Sequence, residues 1–372
     1  MSRHPELARR ALLSAGLAVT AAGALGAPAF AAGSRSARGG LAAPSISGTG
    51  AWDARSANGS IDVLDSKPSK IIVHHTATAN SSDTSQSHAF ALSRQIQDYH
   101  MDSNGWIDTG QNFTNSRGGH LTEGRHKSLA ALQGGSQHVL GAHAGEQNDV
   151  ALGIENEGTY TDASVPDALW ESLVELCSYM VSQYGIEAGA IYGHRDFMAT
   201  ACPGDVLYAR LPDLRSAVGS ATGSVVVQPV VWPLVRPGAT GPVVSALQLL
   251  LRAWGAGGVV VNGVFDAVTG DAVGRFRRKR GAPGASCYAS RVAEPDVFGG
   301  SDWARLAPVL GVDASGDAVQ AVQVLLTARG VRSGEQDRFG VRTAGSVREF
   351  QAARGLRVSG VCDHETWLRL LG

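Results

Sequence analysis

The chain has 372 residues, too many for one ordinary domain, so two or three are expected. With 44% hydrophobic and 17% charged residues and a formal net charge of −1, it reads as soluble and globular. It lacks the basic surface of a nucleic-acid binder, so polyanion binding is disfavoured.

At the N-terminus, Arg3, Arg9 and Arg10 precede an apolar run from Ala11 to Ala27, and Ala29-Phe30-Ala31 has the small-x-small form of a cleavage site. Residues 1–32 read as a signal peptide, and the Arg9-Arg10 pair is compatible with twin-arginine export. No other apolar run approaches the roughly 20 residues that span a bilayer. The mature protein is therefore expected to be secreted or cell-wall associated, without stable membrane insertion. Gly, Ser, Ala and Pro dominate residues 33–50, which predicts a flexible leader.

The next piece, residues 51–217, holds most of the histidines. "SKIIVHHTATA" predicts an apolar strand, Ile71 to Val73, that ends at His74 and His75. Strand ends are where a rigid sheet aims functional side chains into a cleft. "VALGIENEGTY" predicts a buried strand whose alternation sets Glu155 and Glu157 on one side and Asn156 on the other. A long helix starts near Pro166, and its apolar stripe from Leu169 to Tyr184 takes Cys177 into the core.

"GHRDFMATACPG" places His194 and Cys202 eight residues apart. Zinc accepts imidazole nitrogen and thiolate sulfur, and a catalytic site wants three protein ligands and one open position. His74, His194 and Cys202 make such a set. In an exported protein a disulfide is the alternative for Cys202, although Cys287 and Cys362 are the pair left once Cys177 is core. His120, His126 and His138 lack ligand spacing. Arg195 and Asp196 are expected to form a local pair that holds the loop aiming His194.

"SAVGSATGSVVVQPV" marks an interdomain linker, taken as residues 218–231. Beyond it the chain repeats: Gln248, Phe265, Thr269 and Phe276 recur as Gln323, Phe339, Thr343 and Phe350 at offsets of 75 or 74. Residues 232–306 and 307–372 are thus two copies of one module. In each, apolar residues step by three and four (Val244, Leu247, Leu250, Leu251; Val319, Val322, Leu325, Leu326), which predicts an amphipathic helix. Shorter helices near Phe276 or Phe350 and near Trp303 or Trp367 complete a three-helix bundle, close to the lower size limit for a core.

The ordered motifs "IIVHHTA", "GQNF", "TEGR", "GAHAG", "GIENEGTY" and "GHRDFMATACPGDVLY" resemble the zinc amidase family that includes phage lysozyme-amidases and animal peptidoglycan-recognition proteins. The resemblance implies an α/β domain with a mixed sheet flanked by helices. It makes His74, His194 and Cys202 the ligands of a Zn2+ ion, with Thr200 beside the metal and His75 supporting or packing. His143 falls where the family has a cleft-lining histidine, a donor to oxyanion or substrate. Many members carry a catalytic tyrosine where this chain reads Gly110-Gln111-Asn112-Phe113. Gln111 does not titrate near neutrality, so Gln111 and Asn112 are expected to line the substrate instead. Members without the tyrosine use the glutamate of Gly-Ile-Glu, here Glu155, as general acid and base; orienting a ligand is its other possible role.

The implied reaction is hydrolysis of the amide between N-acetylmuramic acid and L-alanine of peptidoglycan. A non-catalytic peptidoglycan binder of the same fold and a zinc peptidase acting on the stem peptide are the rival classes. "WPLVRPGATGPVVSALQLLLRAWG" looks like the peptidoglycan-binding modules appended to bacterial cell-wall hydrolases. The second copy departs from it at "QDRFG", and the first carries an insertion of about ten residues around Cys287. All-α repeats and the bacterial cell wall as the partner of a monomer are what this resemblance implies.

Overall fold

The structure, a computed structural model, describes residues 41–281, 294 and 296–372. The expected signal peptide and Cys287 lie outside the described residues. In chain order the first domain runs β1 (Ile46–Ser47), β2 (Val63–Leu64), β3 (Lys70–His75), α1 (Gln86–Asp98), β4 (Phe113–Asn115), β5 (Leu121–Glu123), α2 (Ser128–Gly134), β6 (His138–Val139), β7 (Ala151–Asn156), α3 (Asp167–Tyr184), β8 (Ile191–Gly193), α4 (Asp205–Ala209) and α5 (Leu211–Thr222).

Six strands form one mixed sheet in the order β1-β5-β4-β7-β3-β8, with β4 and β5 antiparallel and the other neighbours parallel. Strands β3 and β7 are buried on both faces, as parallel strands covered on both sides are. Helix α3 starts after Pro166 and stops at Gly185, whose φ of 74° suits a residue without a Cβ. Its stripe and α5 pack on one face of the sheet, where Leu173, Leu176, Cys177 and Leu214 meet Ile71, Val73 and Ile154. Burial there pushes the Cys177 thiol above its ordinary pKa. Alternation leaves Ile72, His74 and Glu155 for the opposite face, near the carboxyl ends of three parallel strands.

Two expected boundaries move. The leader is ordered as a sheet edge at Ile46–Ser47, where β1 hydrogen-bonds to β5. Helix α5 continues to Thr222 because Val218 is buried against α3 and β8, so the linker begins at Gly223 rather than at residue 218.

The repeats comprise α6 (Pro242–Trp254), α7 (Ala267–Arg280) and α8 (Ser301–Leu306), then α9 (Asp317–Ala328), α10 (Val341–Ala353) and α11 (His364–Leu371). They share a polar plan as well as helices. Buried Gln248 and Gln323 each donate to a carbonyl in the turn before the next helix and to that helix's Thr269 or Thr343. Trp303 and Trp367 each donate to a proline carbonyl, Pro233 or Pro308, at 2.7 Å. The two bundles are not separate, however: α6 packs on α9, and Leu247, Leu250, Trp303, Leu325 and Phe350 belong to one continuous core. Cys362 is a buried free thiol inside that core, not half of a cystine. No helix among the described residues is long and apolar enough to cross a membrane.

Candidate metal and catalytic site

Sheet register assembles the site. His74 on β3 lies opposite Glu155 on β7, and Glu155 lies opposite Thr114 on β4, so three side chains from adjacent strands share one face. On the other flank, Val73 lies opposite Gly193, the last residue of β8, which brings the next residue, His194, beside His74. Their ring centroids are 4.4 Å apart. Cys202 returns from the following loop, its Sγ 3.8 Å from His74 Nδ1, and the His75 backbone N–H donates to that sulfur at 3.4 Å. Among the described residues, His74, His194 and Cys202 are the one group of three potential ligands, with donor atoms all within 4.8 Å of one another.

The loop between His194 and Cys202 is held by its own residues. Arg195 N–H donates to the Cys202 carbonyl, and Cys202 N–H donates to Thr200 Oγ1. The expected Arg195–Asp196 pair is absent. Arg195 instead pairs with Asp205 at 2.9 Å and stacks on Tyr208, while Asp196 accepts from Gly193 N–H and Tyr208 O–H. Both nonetheless brace the turn that aims His194.

His143 comes from the "GAHAG" loop, and its Nδ1 lies 3.1 Å from His74 Nε2, the nitrogen turned away from Cys202. It reaches that place because Gly153 has no side chain; a Cβ there would sit 2.4 Å from the His143 ring. The expected donor to an oxyanion is thus seated behind a ligand, where it fixes which nitrogen His74 presents. His75 points to the opposite face and accepts from Tyr160 N–H, a packing position.

Burial, reinforced by neighbouring imidazoles, holds His74 well below its ordinary pKa and His194 at about 3. Burial also lowers His143 to about 3 despite a hydrogen bond to the Ala151 backbone. All three rings are neutral near neutrality, the form in which imidazole binds a metal. Glu155 is fully buried, and desolvation raises its carboxyl well above the usual range. Neither Glu155 oxygen, nor His143 Nε2, has a hydrogen-bond partner among the described residues. Buried polar atoms left so are rare and point to a missing ion or water. Three neutral or thiolate donors beside an unsatisfied carboxyl fit a tetrahedral Zn2+ with an open position.

Gln111 is buried and donates from Nε2 to Oγ1 of Thr114, the register neighbour of Glu155, at 2.9 Å, while its Oε1 has no partner among the described residues. Thr114 escaped sequence reading, since nothing but strand register reveals it. Asn112 does not line the site. Its amide donates to Ser128 Oγ and the Val139 carbonyl and accepts from Gly153 N–H, so it ties β6 to the central sheet. Glu157 is likewise committed, to His88 Nε2 and Arg117 N–H.

The family profile described as N-acetylmuramoyl-L-alanine amidase matches residues 64–205, and that of a putative peptidoglycan binding domain matches residues 315–370. Peptidoglycan-recognition protein SC1a of Drosophila melanogaster is 34% identical over 154 residues, covering 41% of this chain and 76% of that protein. The N-acetylmuramoyl-L-alanine amidase of Homo sapiens is 29% identical over 170 residues, 45% of this chain and 28% of that protein. Among solved structures, wild-type Drosophila PGRP-LB is 26% identical over 45% of this chain and 92% of its own, with a TM-score of 0.40. By the 34% identity to peptidoglycan-recognition protein SC1a across 76% of that protein, the chain belongs to the family of N-acetylmuramoyl-L-alanine amidases and peptidoglycan-recognition proteins, and it carries a peptidoglycan-binding domain after the amidase domain.

Proposed function

We propose that the protein is an exported, zinc-dependent N-acetylmuramoyl-L-alanine amidase that cuts the amide joining the lactyl group of N-acetylmuramic acid to L-alanine. The observation that carries the reading is Glu155: a buried carboxyl with neither oxygen partnered among the described residues, in register with His74, the ligand that His194 and Cys202 join. His74, His194 and Cys202 would hold the zinc, and it would supply Lewis acidity toward water and the scissile carbonyl.

The chain's own residues do the rest. Glu155, its carboxyl raised by burial, accepts a proton from water and returns it to the departing alanine nitrogen. His143 fixes the orientation of His74. Thr200 offers a hydroxyl two residues before Cys202, where it can donate to the tetrahedral oxygen anion. Gln111, through Thr114, stands where it can position substrate but cannot exchange protons. The repeats raise the enzyme's local concentration on an insoluble wall.

The test is incubation of the mature, metal-loaded protein with purified sacculi, with and without chelator, and mass spectrometry of the released ends. Free lactyl carboxyls that vanish with chelator, and a loss of roughly 100-fold or more in Glu155→Gln, are the expected outcome. New peptide termini would assign a peptidase instead, and absence of release a binding protein.

A further inference from the structure

The second repeat shows the module in its plain form. Gln351 on α10 donates to the Val361 carbonyl and to Thr366 Oγ1, and its Oε1 accepts from Ser359 and Gly360 N–H, tying down the turn into α11. In the first repeat the matching positions hold Arg277 and Asp302, a buried ion pair with Nε to Oδ2 at 3.2 Å. Arg277 Nη1 donates to the carbonyls of Glu294 at 3.0 Å and Val297 at 3.3 Å. The longer first repeat is therefore anchored where it turns toward the amidase domain.

Glu294 lands on the ligand loop. Its carboxylate accepts from Thr200 Oγ1 at 2.6 Å and from Ala201 N–H at 2.9 Å. Below it, Val297 packs with Ala199 and Leu234. Ser301 N–H donates to the Phe197 carbonyl, and a Cβ on Gly300 would lie 2.3 Å from the Phe197 backbone. Arg305 closes the edge by pairing with Glu146. Thr200 has a single proton and gives it to Glu294, while its lone pair accepts from Cys202 N–H. His74, His194, Thr200 and Glu155 are all 0% exposed, so no substrate atom reaches them in this arrangement.

We propose that Glu294 is an autoinhibitory latch: the first repeat takes the Thr200 proton and sets a carboxylate charge against the ligand loop, and engagement of the wall by the repeats withdraws it. The inference rests on the amidase reading for Thr200. Its structural part stands apart from catalysis, because Ala201 N–H is bonded to Glu294 and reports the latch directly.

Two measurements on the full-length, metal-loaded protein test it. The first is turnover of a soluble muropeptide too small to engage the repeats. Glu294→Ala should raise it roughly tenfold, about the worth of a hydrogen bond to a charged group, and Arg305→Ala should raise it less. On intact sacculi the difference should shrink. The second is hydrogen exchange of residues 197–202, which should rise in Glu294→Ala and in the wild type upon adding soluble glycan strands. Equal or lower muropeptide turnover in both variants overturns the inhibition, and unchanged exchange with glycan overturns the latch. If exchange behaves as expected but no protein hydrolyses either substrate, the latch stands and the amidase reading falls.

Discussion

The two repeats descend from one plan yet differ where their surroundings differ. Gln248 and Gln323, and Trp303 and Trp367, make the same hydrogen bonds in both. At the position facing the amidase domain, a neutral Gln351–Thr366 contact in the second copy is replaced by a charged Arg277–Asp302 pair in the first. A glutamine satisfies a compact turn with its own amide. An arginine reaches further, to the carbonyls of Glu294 and Val297, and so can hold a longer segment against a neighbouring domain. Charge inside a small module is thus read as the means of docking rather than of folding.

The comparison breaks most sharply if one partner of the pair is removed. Arg277→Gln leaves buried Asp302 with only Arg305, 3.9 Å away, to balance its charge, a loss of about 3 kcal/mol. Combining Arg277→Gln with Asp302→Thr copies the second repeat and should restore stability to within about 1 kcal/mol of wild type, since replacing a buried pair is often neutral. Denaturant melts of these three proteins and of Asp302→Thr alone give the coupling energy. A double variant as unstable as the single one would mean that the pair is part of the first bundle's core and not an adaptation to its neighbour.

A second prediction concerns what the repeats share. Leu250→Ala and Leu325→Ala occupy equivalent places in one continuous core, and each should cost about 2–5 kcal/mol. Because α6 and α9 pack on each other, either change should lower the melting of both repeats in one transition. Two transitions, one of them unmoved, would restore the picture of independent bundles.

Much of this was legible in the residues. Ligand chemistry restricts a metal site to a few residue types, so His74, His194 and Cys202 stand out at any separation. Strand alternation set Glu155 opposite Asn156, but only the register of β3 with β7 puts Glu155 on the same face as His74. Helical periodicity found the helices of both repeats. The fusion of the repeats left a fainter trace: Leu249, Leu250 and Leu251 in succession, with Ala246, make α6 apolar nearly all round, the mark of a helix buried on two sides. His143 could not be placed behind His74 because its seat is a hole left by Gly153, visible only once β7 and the "GAHAG" loop are brought together. Glu294 was invisible for a stronger reason. Its function lies in a partner 94 residues away, across a domain boundary that no local pattern encodes.

The smallest expected effect sharpens the repeat comparison through pH. Burial pushes the Asp302 carboxyl up to about 6 from an ordinary 3.8, against the opposing pull of Arg277 and Arg305. The folded state therefore holds this proton more tightly than the unfolded chain does. The resulting stabilisation is fully present below pH 3.8 and is lost as pH rises through about 6. Its size is on the order of 1 to 3 kcal/mol. In the Arg277→Gln and Asp302→Thr double variant the titrating group is gone, as it is in the second repeat, so the difference in stability from wild type should change in favour of the double variant as pH rises from 4 to 7. Thermal melts across that range measure it. A difference that stays flat would show that Asp302 ionises with its ordinary pKa, kept charged by Arg277, and that docking carries no proton linkage.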